Sequence, residues 1–476
     1  MTLLSRATLA RVHPHVSVPR RRAEPGIGIV HFGASAFHRA HQAAFVDAVL
    51  DSDPRWGIAA VSLRTRTAVD ALAAQDGLYT LAIRDREPAY RIIDAHRAFL
   101  GPDDADATAA LLASPEVGLV TTTVTEKGYC LGPDGALDRN HPDIVRDLAD
   151  TEAPASVIGW IVRGLAARRR AGLAPFVVMP CDNLPSNGRK LHAALADYAR
   201  ATDDGLADWI AGEVRVPGTM VDSITPASDD ALYADVQAAI GLEDRAAVQR
   251  EAFAQWVIED MGPIGPDLGA AGAIVTSNVA GYEKAKLRIL NGAHSTLAYA
   301  GLLRGRGTVA DAMADEPLAG FVEGMIAEEI IPTLPLVAGL DLRAYSQDVL
   351  ARFRNPGIVH RLDQIAGDGS QKLPYRLGDT IAAHLERGRE PGRLIAAFGC
   401  WIAFLMRRSR EGASIADPFS SVLAAAAEHG SPAEVAGRIA SSGVGLPPAL
   451  RDDARLVRAA EAAWSDDWER VFAGCM

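Results

Sequence analysis

The sequence predicts an α/β chain: a doubly wound parallel sheet domain followed by a mostly α-helical C-terminal domain. Three observations predict it. Short β-rich runs alternate with helical stretches from residue 27 to about 280. Beyond that point, long alanine- and leucine-rich helical stretches dominate. At 476 residues the chain also exceeds what one hydrophobic core usually serves. The expected division is a lead-in without firm structure over 1–25, the sheet domain over 26–280 and the helical domain over 281–476, with the active site between the two domains.

In chain order, the β-rich runs are "GIGIVHFG", "WGIAAVSL" (56–63), "GLVTTTVTE" (118–126) and "PFVVMPCDN" (175–183). Between the last two, "SVIGWIVRGLAARRRAG" (156–172) repeats apolar residues at helical spacing and stops at a glycine. Strand, helix, strand in this rhythm implies a parallel sheet with helices on both faces. In the second half, "LIAAFGCWIAFLM" (394–406) is too short to span a bilayer and is flanked by arginines, so it reads as a buried core helix.

The totals exclude several classes of partner. A net charge of −12 argues against nucleic acid or an anionic membrane. The basic run "PRRRAEP" (19–25) reads as a solvated, frayed segment. Cys130, Cys181, Cys400 and Cys475 form no CxxC pair, which suggests a reduced, cytoplasmic setting without a zinc ribbon. Arg6, Arg11 and two prolines interrupt any signal-peptide core.

The junction "IVHFGASAFHRAHQA" (29–43) runs a strand into a turn and then a helix. A dinucleotide turn needs glycine so that backbone can approach the pyrophosphate, and a helix start whose N–H groups face it. Gly33 supplies the first glycine. Ala34, Ser35, Ala36 and Phe37 complete a mostly small-residue turn, with Ser35 where a second glycine is expected. A Rossmann-like cofactor turn and an ordinary strand-to-helix turn both fit. His38 and His41 share a helix face but lack a third metal ligand, so they read as packing and capping residues. After the second strand an acid would hold the ribose of NAD, and an arginine the phosphate of NADP. Here stand Ser62, Arg64 and Arg66, with no acid before Asp70, which leaves NADP open.

The stretch "GYEKAKLRILNGAHSTLAYAG" (281–301) carries the chemistry. Wound as an α-helix, it places Glu283, Lys286, Asn291 and His294 within an arc of about 140°. A lysine, an amide and an imidazole on one face could abstract a proton, hold an alkoxide and orient a hydroxyl. From spacing alone, a solvated Glu283–Lys286 pair beside two satisfied core polars is the favoured reading.

"KLRILNGAHS" resembles the signature of the mannitol dehydrogenase family, the polyol-specific long-chain dehydrogenases. "FHRAHQA", "TVTEKGY", "CDNLPSNG", "MVDSITP", "QWVIED" and "DGSQKLPYR" resemble its other blocks, in family order from residue 27 to about 380. The resemblance implies metal-independent hydride transfer between a nicotinamide cofactor, NAD or NADP, and a secondary alcohol or ketone. It assigns Lys286 as general base, with a pKa brought down to roughly 7–8 by burial. Asn291 and Asn183 become donors to the developing alkoxide, His294 orients substrate hydroxyls, and Glu283 relays the proton to solvent. Asp222 supports the site and Lys372 contacts a substrate oxygen. Two positions depart from the family pattern: Ser223 replaces a usual arginine and Ser35 a usual glycine.

"TVTEKGYC" and "DGSQKLPYR" look closer to the fructuronate reductase branch than to the mannitol branch. A sugar acid carries a carboxylate that Lys127 or Arg376 could hold. The expectation is an NAD(P)-dependent oxidoreductase acting on D-mannonate and D-fructuronate, a monomer or homodimer. D-Mannitol with D-fructose is the alternative pair, and a non-catalytic NAD(P)-binding sensor the distant one.

Overall fold

A computed structural model describes residues 2–19 and 23–474; Arg20 to Arg22 of the basic run and Cys475 lie outside the described residues. The chain divides into two compact units, Met1–Ala280 and Gly281–Met476.

The first unit contains eleven strands among its described residues: β1 (Ile27–Phe32), β2 (Gly57–Val61), β3 (Tyr79–Arg84), β4 (Ala89–Ile93), β5 (His96–Leu100), β6 (Leu119–Thr122), β7 (Val177–Pro180), β8 (Thr219–Asp222), β9 (Val248–Glu251), β10 (Gln255–Glu259) and β11 (Ile274–Thr276). The principal sheet is fully parallel in the order β5-β2-β1-β6-β7. Counted along the chain this is third, second, first, fourth, fifth, the doubly wound Rossmann order, with its switch point between β1 and β6. Two three-stranded sheets, β11-β10-β8 and β4-β3-β9, complete the unit.

Alternation along β1 sends its side chains to two cores. Val30 and Phe32 pack with Ile158, Ile161 and Leu165 of the helix Val157–Arg170 on one face. Ile29 packs with Phe45, Met179 and Trp256 on the other. The Val157–Arg170 helix starts where Ser156 Oγ accepts the Gly159 N–H. Gly172, at φ +67°, follows its last turn.

Three sequence expectations are corrected. Residues 3–18 are packed: Leu4, Val12 and Val16 are buried against Leu78, Ile92 and Val236. Leu3 bridges to Glu243, and Ser17 bridges to Arg91. The β5 strand went unforeseen because "HRAFL" carries an exposed-looking arginine. Third, residues 281–301 do not form one α-helix.

The second unit is helical throughout its described residues. An α-helix Val279–Ala285 runs into a π-helical turn, Lys286–Asn291, and then into an α-helix Gly292–Leu303. Two more π-helical turns cover Met325–Ile330 and Pro374–Gly378. The apolar run at 394–406 lies inside the 19-residue helix Gly392–Arg410, buried from Leu394 to Ala403. No helix among the described residues is long and apolar enough to cross a membrane.

Candidate active site

In the first unit, the turn after β1 is built around Gly33. Its φ is +100°, and a Cβ there would stand 2.3 Å from the Thr123 carbonyl oxygen, so only glycine fits. Thr123 follows β6, the neighbour of β1 across the switch point. Ser35 is the N-cap of the short helix Ala36–Ala40, its Oγ accepting the His38 N–H at 3.2 Å. The serine that replaces the usual glycine therefore closes a helix end. The N–H groups of Ala34, Ala36 and Phe37 have no acceptor among the described residues. A glycine cradle beside free backbone donors fits a dinucleotide phosphate.

His38 and His41 pack, and His41 stands at the cap position between the helices Ala36–Ala40 and Gln42–Val49, its backbone N–H donating back to Phe37 and His38 without a side-chain cap bond. His38 is fully buried, its ring stacked on His31 at 3.4 Å between centroids and its Nε2 3.0 Å from His96 Nε2. His41 Nε2 meets the Gln255 carbonyl at 3.0 Å. Burial pushes His31 and His96 down to about 3, so both rings are neutral. Elsewhere Cys130, His141 and Asp143 lie close enough to share an ion, but His141 Nδ1 already accepts the Asp143 N–H. Asp143 is also ion-paired with Arg64 at 2.7 Å.

Past β2, the Ser62 N–H donates to the Leu100 carbonyl. The next acid in the sequence, Asp70, meets Arg66 at 3.1 Å, and the fold supplies two more: Asp143 for Arg64, and Asp104 for Arg66 at 2.6 Å. Lys127 is exposed in a 3-10 turn, Glu126–Tyr129.

Asn183 is exposed just beyond the end of β7, and Asp222 is the buried last residue of β8. A residue not singled out from sequence, Asn187, ties these two regions together. Its Nδ2 donates to the Asp182 and Thr219 carbonyls at 3.2 and 3.0 Å, and its Oδ1 accepts from the Thr219 N–H at 2.9 Å. Ser223, the second departure, donates from Oγ to the Phe253 carbonyl.

In the second unit, Lys286 and Asn291 open and close the π-helical turn, with Glu283 one turn earlier and His294 in the α-helix that follows. The wider i→i+5 turn voids the uniform arc inferred from sequence. Gly292 allows the π-helical turn Pro374–Gly378 to approach: a Cβ there would lie 3.2 Å from the Arg376 carbonyl oxygen. That approach carries the Arg376 guanidinium to the first segment. Its Nη1 donates to Ser295 Oγ at 3.0 Å and to the Asn291 carbonyl at 3.5 Å.

His294 is buried, stacked on Phe353 at 4.4 Å and edge-on to His360 at 4.9 Å, with Nε2 unpartnered. Burial, then the charges of His360, Arg376, Arg352 and Lys286, hold it well below the usual imidazole range. Burial lowers Arg376 to about 10, and burial with Arg376 lowers Lys372. Lys372 Nζ donates to the Gly367 carbonyl at 2.8 Å and lies 3.5 Å from Asp368. Arg376 has no carboxylate within ion-pair distance among the described residues. Glu283, Lys286, Asn291, His294, Lys372 and Arg376 thus belong to one unit, whereas Asn183, Asp222 and the β1 turn belong to the other.

Comparison with known proteins agrees along the whole chain. The family description "Mannitol dehydrogenase Rossmann domain" matches residues 27–268, and "Mannitol dehydrogenase C-terminal domain" matches 278–466. The chain is 38% identical over 461 residues to D-mannonate oxidoreductase of Escherichia coli (strain K12), covering 94% of each. It is 37% identical over 428 residues to a mannitol 2-dehydrogenase of Phaeosphaeria nodorum, covering 87% of this chain and 75% of that one. Among solved structures, Pseudomonas fluorescens mannitol 2-dehydrogenase, a ternary complex with NAD and D-mannitol, superimposes with a TM-score of 0.85. It shares 33% identity, covering 99% of this chain and 98% of that one.

Proposed function

Because the chain belongs to the mannitol dehydrogenase family, and is thereby an oxidoreductase acting on CH–OH groups, we propose that it interconverts D-mannonate and D-fructuronate. One observation carries the choice of a sugar acid over a neutral polyol. Arg376 is a half-buried guanidinium whose hydrogen-bond partners are a hydroxyl and a carbonyl, with no carboxylate in ion-pair distance among the described residues and Asp368 acting on it only from further off. A cation drawn out of water without an anion is costly, and a carboxylate supplies that anion through charge-assisted hydrogen bonds. Nη2 and Nε carry no hydrogen bond among the described residues, which leaves an edge of the guanidinium for it. Lys127 has no comparable setting. The 38% identity to D-mannonate oxidoreductase points the same way.

Lys286 removes the hydroxyl proton as alcohol becomes ketone, and returns it in the reverse direction. Glu283, one turn away, passes that proton to solvent. Asn291 donates to the oxygen as charge develops on it. His294, neutral and with Nε2 unpaired, accepts from or donates to a substrate hydroxyl. Lys372 holds a further substrate oxygen, and Asn183 and Asp222 keep the roles their motifs carry, a second amide donor and a supporting carboxylate.

Gly33, the N–H groups of Ala34, Ala36 and Phe37, the Ser35 cap, Ser62 and Arg64 would hold the dinucleotide, which supplies the hydride-transfer chemistry when bound. NAD is the better fit, since Arg64 and Arg66 each already face a carboxylate. A kinetic panel of fructuronate, tagaturonate, fructose and mannitol with NAD(H) and NADP(H) tests the reading. Fructuronate with NADH is expected to give the highest kcat/KM, and Arg376→Met to lower it about 10²-fold while leaving fructose reduction within threefold. A higher kcat/KM for fructose than for either uronate would instead support the mannitol 2-dehydrogenase reading.

A further inference from the structure

We propose that His31, a strand residue of the 29–43 junction to which no role was given above, is a positioning residue for the phosphate-binding face of the β1 turn; this rests on the dinucleotide reading of that turn. His31 lies on β1 with its ring fully buried, two residues before Gly33. Its Nδ1 meets Thr121 Oγ1 at 2.7 Å. Its Nε2 meets the Gly33 carbonyl at 3.0 Å and Thr123 Oγ1 at 2.9 Å.

A carbonyl only accepts, so Nε2 carries the proton and Nδ1 accepts from the Thr121 hydroxyl. The Gly33 oxygen takes two further donors, the Ser35 N–H at 2.6 Å and Thr123 Oγ1 at 2.7 Å. A planar trans peptide places C=O and the following N–H on opposite sides. Three donors holding the Gly33 oxygen therefore turn the Ala34 N–H away from them. That N–H has no acceptor among the described residues.

The His31 ring cannot swing out of this role. His38 stacks on it with 12° between planes, and His38 Nε2 is tied to His96. Burial keeps His31 neutral well below pH 6.5, so the donor–acceptor assignment holds throughout the neutral range. The consequence is specific to phosphate. Loss of the His31 donor frees the Gly33–Ala34 peptide to rotate and misplaces one backbone donor, while adenosine contacts elsewhere are untouched.

Binding of NADH, ADP and adenosine to wild type, His31→Leu and His31→Gln tests this. Leucine fills the space without the donor, whereas glutamine can donate to Gly33 and accept from Thr121. His31→Leu is expected to weaken NADH and ADP at least tenfold and adenosine less than twofold, with kcat at saturating cofactor within threefold of wild type. His31→Gln is expected to recover affinity to within threefold. Thr123→Val, which removes another of the three donors, is expected to weaken ADP selectively as well, and it serves if His31→Leu does not fold. Unchanged ADP affinity in these variants would overturn the proposal, as would equal losses for ADP and adenosine or no recovery with glutamine. A wild type that binds neither NADH nor ADP would overturn the dinucleotide reading itself.

Discussion

The charge of Lys286 reaches the buried His294 ring, as do those of Arg376 and Arg352. Lys286→Ala is expected to lower kcat by roughly 10²–10⁴-fold with NADH affinity unchanged; turnover within tenfold of wild type would remove it from the mechanism. Lysine, asparagine and histidine stand out in the sequence because they fall within one nine-residue stretch, 286–294. Arg376 was legible only as a loose cation, since its Ser295 partner is 81 residues away and nothing in local pattern reports that contact. Asn187 and His31 were silent for the same reason: their bonds run from one strand or loop to another.

Among the elements, the π-helical turns at Lys286–Asn291 and Pro374–Gly378 and the Ser35 cap decide where groups point. Periodicity assumes one rise and twist per residue, so a single wider turn between Lys286 and Asn291 cannot be heard in it. The apolar-run strands were legible, although each is shorter than its run. The β5 strand was not, because its pairing with β2 and not its composition makes it a strand. The Ser35 departure acquires a measurable meaning at this scale. Ser35→Ala, which removes the cap, is expected to destabilise by about 1 kcal/mol, and Ser35→Gly by only a few tenths. Chemical denaturation of both variants checks this, and equal stabilities would show that the cap contributes nothing.

For the molecule as a whole, the two-part organisation was visible in composition, but the packing of residues 3–18 was not, since short mixed segments carry no period. Buried neutral histidines set its acid behaviour. His31 and His96 titrate near 3 when folded and near 6.5 when unfolded. The unfolded chain therefore binds protons first as pH falls. Their contribution is complete above pH 6.5 and is lost toward pH 3, at about 1.4 kcal/mol per pH unit for each ring. The denaturation midpoint is expected to drop steadily from pH 7 to 5, and a flat profile would contradict the burial of these rings. The bridge from Leu3 to Glu243 also has a consequence in time. At ribosomal speeds of about 5–20 residues per second, the two partners emerge tens of seconds apart, on the order of ten to fifty. Leu4, Val12 and Val16 must wait that long beside the exit tunnel for their partners at Ile240 and Leu242. A nascent chain stalled before Glu243 would present this apolar end to chaperones, whatever the health of its catalytic groups.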